Sequence, residues 1–168
     1  MHTAPFILEP VTLQFLKLLV AMLLGGAIGT ERAILAKQAA GTRTFGLVSL
    51  GACLFVVVGS FVDSSYLGLV ASLEPLQIAG SIVTGIGFIG GGLIIFRHDA
   101  LHGVTTAAGL WIAAGVGMAV GFGMFSIAVF STLLALIMFT GMWYIEDRFK
   151  HWFEDRHVDT TDAGSYLR

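Results

Sequence analysis

Glu31, Arg32, Arg43 and Thr44 are the side chains best suited to recognition chemistry in this sequence. Glu31 and Arg32 close one apolar run, and Arg43 and Thr44 open the next. An αα-hairpin would therefore gather a carboxylate, two guanidiniums and a hydroxyl at one end of the molecule. Such a group can offer a partner protein a charged surface or form the mouth of a polar pathway. It equally suits an ion pair with helix capping that fixes the hairpin, its basic residues setting topology. Lys17 is the one ionisable side chain well inside an apolar run. At 1.5 Å per residue it lies about 9 Å below Val11, close enough to the outer surface to snorkel. Ala21, Gly25 and Gly29 continue from it at i+4 steps, so it also borders a small-residue packing face, where Asp63 or Glu74 would be its partner.

The stretch Gly80–Phe96, GSIVTGIGFIGGGLIIF, is almost uncharged and dense in glycine. On a helical wheel Gly80, Thr84, Gly87 and Gly91 fall along one side, and Ile82, Ile86, Ile89 and Leu93 along the other. Small side chains in a row let a neighbouring backbone approach, while the aliphatic side suits lipid. The glycine row thus predicts close helix packing. A second reading is local unwinding over Gly85–Gly92, including Gly85, Gly87, Gly91 and Gly92, with carbonyls turned to a cation. Further along, Gly103, Ala107, Ala114, Gly117 and Gly121 also share a side.

Other chemistries find little support. Mg²⁺ dehydrates reluctantly and is generally held through carboxylates and retained waters. No Asp or Glu lies inside an apolar run; Glu31, Asp63, Glu74, Asp99 and Glu146 all fall at the ends. His98-Asp99-Ala100-Leu101-His102 resembles the HExxH zinc pattern with Asp for Glu, but that motif needs both histidines on one helix face, and here a tight connection ending at Gly103 is expected. Whether any metal binds is left open by the sequence. A single cysteine, Cys53, excludes an intrachain disulfide. No nucleophile–base arrangement and no phosphate-binding glycine loop between strand and helix is present, so neither an enzyme nor a cofactor is expected.

The elements that would position these residues are membrane spans. Of the 168 residues 56% are apolar and 12% charged, which marks a polytopic membrane protein and gives no reason to expect a nucleic-acid partner. Five apolar segments, approximately Val11–Gly29, Phe45–Val62, Leu76–Phe96, Val104–Gly121 and Met124–Ile145, are each long enough to cross about 30 Å of hydrocarbon. The last two are parted by a glycine-rich turn near Gly121-Phe122-Gly123. Eight of the nine Lys and Arg residues fall on one side of this arrangement and none on the other, Lys17 being within a span. The N-terminus is expected outside and the C-terminus in the cytoplasm. The N-terminal run lacks a basic start and a cleavage site, so it is expected to remain as the first span. The fold class is all-α, a bundle of five transmembrane helices over residues 1–147 packed through small-residue faces on the first, third and fourth. Residues 148–168 form a short amphipathic and disordered tail.

Two stretches carry a resemblance to a known family. One is LLGGAIGTER with AAGTRTFGLVSLGACLF (Leu23–Arg32, Ala39–Phe55); the other is IAGSIVTGIGFIGGGLIIF with GVTTAAGLWIAAGVGMAVGFG (Ile78–Phe96, Gly103–Gly123). Together they resemble the MgtC/SapB family of bacterial inner-membrane proteins over most of residues 11–145. The resemblance implies five transmembrane helices, a bacterial inner-membrane location, and links to low-magnesium, acid-stress and host adaptation. It covers the transmembrane part only, since many virulence-associated members carry a cytosolic ACT-like domain for which no room follows the last helix. In those members the TAA…LW block has an Asn before the first Thr and a Cys after the Trp. Thr105 and Ile112 stand there in this sequence, and Thr105 and Trp111 mark the block as a further pathway or packing candidate.

The expected function is a non-enzymatic membrane protein that modulates magnesium or ion homeostasis, or stress adaptation, through other inner-membrane proteins. Membrane lipids surround it, and a homodimer is the simplest assembly its small-residue faces allow. The alternative is a small transporter or channel for a cation or other solute, using carbonyls around Gly85–Gly92 and Lys17.

Overall fold

The computed structural model describes residues 11–34, 40–62, 75–97, 100–141 and 144. Five helices follow one another: α1 (Val11–Ile34), α2 (Thr42–Val62), α3 (Pro75–Leu93), α4 (Val104–Gly121) and α5 (Phe125–Gly141). The first four are long and apolar enough to cross a membrane; α5, described over 17 residues, is shorter. In hydrocarbon a helix satisfies its own backbone hydrogen bonds, so even these glycine-rich runs remain helical. Between α3 and α4 the chain forms a small antiparallel hairpin, β1 (Ile95–Arg97) and β2 (Ala100–His102), which pairs Phe96 with Leu101. The third apolar run therefore leaves the helix at Leu93, ahead of its expected end at Phe96. The α4–α5 turn falls at Phe122–Gly123 as expected, with Gly123 at φ 79 and Met124 N donating to Ala119 O across 2.8 Å. The expected C-terminal tail, residues 148–168, lies outside the described residues.

The core sits where α1, α2 and α4 meet. Ala21, Ile28, Phe45, Cys53, Val56, Leu110, Ala113, Val116 and Val120 are buried there. Ser49 sets the separation. A Cβ on Gly25 would strike the Ser49 side chain, and one on Gly117 would strike the Ser49 carbonyl. A Cβ on Gly29 would come within 2.6 Å of Gly41 O. Backbones this close gain dispersion contacts that lipid tails do not offer.

Helix α3 corrects the sequence expectation. Gly80, Gly85, Gly87, Gly91 and Gly92 all face open space, and Thr84 is exposed with its hydroxyl returned to Gly80 O at 2.9 Å. Part of the aliphatic side is what docks: Ile86 is buried, Ile82 and Leu93 are partly buried, and Ile78 meets the space above Gly59 of α2, while Ile89 stays exposed. The small residues at this contact, Gly59 and the Ala107 opposite Gly90, include ones on α2 and α4. One small surface is enough for close approach, and α3 supplies bulky side chains to fill it. The helices packed through small residues are therefore α1, α2 and α4, with α2 in the place assigned to α3. Helix α3 is also continuous through Gly85–Gly92, so no unwound carbonyls are available for a cation.

Candidate functional site

The packed face of α1 consists of Lys17, Ala21, Gly25, Ile28, Gly29 and Arg32. At four-residue and three-residue steps these fall on one stripe, with a cation at each end about 22 Å apart. Lys17 is 1% exposed and Arg32 is 7% exposed, and they are the buried charged residues among those described.

Arg32 brings the last turn of α1 against α4 and α5. Its Nη2 donates to Thr106 Oγ1 at 3.2 Å, in the first turn of α4. Its guanidinium carbon stands 4.9 Å from the centroid of the Phe139 ring on α5. Planar stacking of this kind suits arginine, whose guanidinium is weakly hydrated. Nε is buried without a hydrogen-bond partner, as is Oε2 of the adjacent Glu31.

The other members of the expected cluster are placed differently. Arg43 is exposed and Thr44 half-buried at the start of α2. Among the described residues no hydrogen bond joins Arg43 to Glu31 or Arg32. The hairpin is instead tied by the hydroxyls of Thr30 and Thr42, 3.0 Å apart. Thr106 and Phe139 are the residues that sequence reasoning passed over. Thr106 stands beside the chosen Thr105, which is exposed, and the polar end of the α1 stripe was the available signal for it. Trp111 is half-exposed on the outer side of α4.

Lys17 runs inside the bundle. Its Nζ is 4.0 Å from where a Cβ on Gly123 would stand, at the turn that ends α4. A cation at a helix C-terminus is favourable. Asp63 and Glu74, the expected partners, lie outside the described residues. His102 is on strand β2, which removes the one-face helical geometry that a zinc-like HDALH motif requires; His98 and Asp99 are not described. Among the described residues no group of three His, Cys, Asp or Glu is placed to hold a metal.

Comparison with known proteins agrees with this architecture. The MgtC family profile matches residues 18–148. The chain is 38% identical over 129 residues to the "Putative magnesium transporter YhiD" of Escherichia coli K12, covering 76% of this chain and 60% of that protein. It is 42% identical over 118 residues to Protein MgtC of Brucella abortus, covering 69% of this chain and 45% of that protein. An uncharacterized protein of Haemophilus influenzae is 35% identical over 126 residues, with 73% and 52% covered. The chain thus spans between about half and three-fifths of these relatives' length. No solved structure matches it significantly.

Proposed function

The chain belongs to the MgtC family, and from that membership we propose that it is a non-enzymatic protein of the bacterial inner membrane that modulates magnesium or ion homeostasis through other membrane proteins. In this reading its N-terminus lies outside and its C-terminus in the cytoplasm, which the distribution of Lys and Arg favours. The single observation that carries the reading is the closeness of the α1–α2–α4 contact. A Cβ on Gly25, Gly29 or Gly117 would strike the neighbouring helix, which leaves no room there for a cation that keeps its waters. The continuous α3 supports the same view.

Contact with partners falls to the exposed Arg43 and the neighbouring Glu31 and Thr44, at the end of the bundle where α1 meets α2. The outward glycine face of α3 is suited to a second copy of the chain, because backbone-to-backbone contact in lipid needs small residues on a free surface. The name of the E. coli relative favours a second reading, a magnesium transporter, in which the conducting path is completed by assembly at α3.

The experiment is affinity purification of the tagged chain from its native membrane, with Arg43→Ala beside it. Under the first reading Arg43→Ala loses a membrane partner while inserting and melting like the parent. An unchanged set of partners removes Arg43 from the contact surface.

A further inference from the structure

We propose that the first turn of α4 and the Arg32 guanidinium together bind a phosphate-type anion, supplied by the headgroup of an anionic lipid. Helix α4 opens at Gly103 in the left-handed region, φ 90, and no side chain caps it. The first intrahelical bond runs from Ala107 N to Gly103 O at 2.8 Å. The amides of Val104, Thr105 and Thr106 precede that bond and so have no acceptor within the helix. Val104 and Thr105 are exposed, which leaves this cradle open from outside the bundle. Oriented amides at a helix N-terminus attract anions.

The second observation is Arg32. It is more than nine-tenths buried, its Nη2 is fixed to Thr106 in that same first turn, and its Nε has no partner. The C-terminal end of α1 favours a cation at this level, whereas the N-terminal end of α4 opposes one. Glu31 offsets part of the charge but makes no hydrogen bond to the guanidinium, and its own Oε2 is buried unpartnered. The Arg32 guanidinium is thus held at the first turn of α4, where the acceptors at hand are the Thr106 hydroxyl, the Glu31 carboxylate next to it in sequence and the Leu93 carbonyl beside Gly103. Among the described residues none of these accepts from the Val104, Thr105 or Thr106 amides, and a phosphate oxygen at this turn would accept from them beside a guanidinium matched to it in charge.

The lipid is favoured as the source by the β1–β2 hairpin that leads into α4. Phe96 and Leu101 are paired across its register and both are strongly exposed, an apolar patch that fits the boundary between headgroups and acyl chains.

The test is amide hydrogen exchange of residues 103–107 in the full chain, held in maltoside micelles that carry no phosphate. Phosphatidylglycerol is added in one arm and inorganic phosphate in the other. Phosphatidylglycerol should slow exchange of the Val104, Thr105 and Thr106 amides several-fold, and the slowing should vanish in Arg32→Gln and in Thr105→Asp. Thr105 is exposed, and a carboxylate at this helix end supplies its own anion, so Thr105→Asp keeps the fold while blocking the site. A response to inorganic phosphate alone with the same variant losses supports the anion site and makes its source soluble. No slowing by either probe, or a response retained in either variant, overturns the proposal.

Discussion

Arg32 Nη2 donates to Thr106 Oγ1 across 3.2 Å and so joins the last turn of α1 to the first turn of α4. The two residues are far apart in sequence, and α5 closes over the pair through Phe139. Thr106→Val keeps the shape but removes the acceptor from a buried guanidinium, which should lower stability by about 1–3 kcal/mol. Thermal unfolding in detergent reads this directly. Thr105→Val, one residue away on the exposed side, should leave the midpoint unchanged.

Glycines on the two sides of the bundle should respond in opposite ways. A methyl on Gly117 would run into the Ser49 carbonyl, so Gly117→Ala must part α2 from α4, at a cost of about 1–3 kcal/mol or more. Gly87 has open space at its Cβ position. Gly87→Ala should be neutral or stabilise the single chain by up to about 1 kcal/mol through helix propensity. Equal losses from both would contradict the placement of α3.

If two copies meet at α3, Gly87→Cys in a Cys53→Ala background should form disulfide-linked dimers when membranes are oxidised. Trp111→Cys, on the exposed side of α4, should not. Cross-linking of the two variants to the same extent would remove α3 from the dimer contact.

The amine of Lys17 stands near the C-terminal end of α4, so the sign of its charge matters. Lys17→Glu should melt below Lys17→Met, by roughly 0.3–2 kcal/mol, because a carboxylate is disfavoured at a helix C-terminus. A Lys17→Glu variant as stable as Lys17→Met would place the amine elsewhere.

Much of this architecture was legible in the sequence. Hydropathy and length located the helices, and the Gly121-Phe122-Gly123 turn fell where the apolar run was too long for one span. The stripe from Lys17 to Gly29 was visible as i+4 spacing, and it is the face that packs. The orientation of α3 was not legible, because a helix with one small side and one bulky side has two ways to dock and lipid tolerates either. What decided it was small residues elsewhere, Gly59 and Ala107, whose position against α3 is a tertiary fact. The hairpin grouping of Glu31 with Arg43 rested on chain proximity, whereas Arg32 found its partners on α4 and α5. Periodicity within single helices cannot foretell such a meeting.

The central claim is that the protein modulates ion handling without conducting. Its most direct test is magnesium entry into liposomes that contain the purified chain and a trapped Mg²⁺-sensitive dye. The close α1–α2–α4 packing and the unbroken α3 predict entry no faster than in protein-free liposomes. Entry that rises with protein content, saturates with Mg²⁺ and disappears in Gly87→Leu would contradict the account and establish transport across an assembled α3 face.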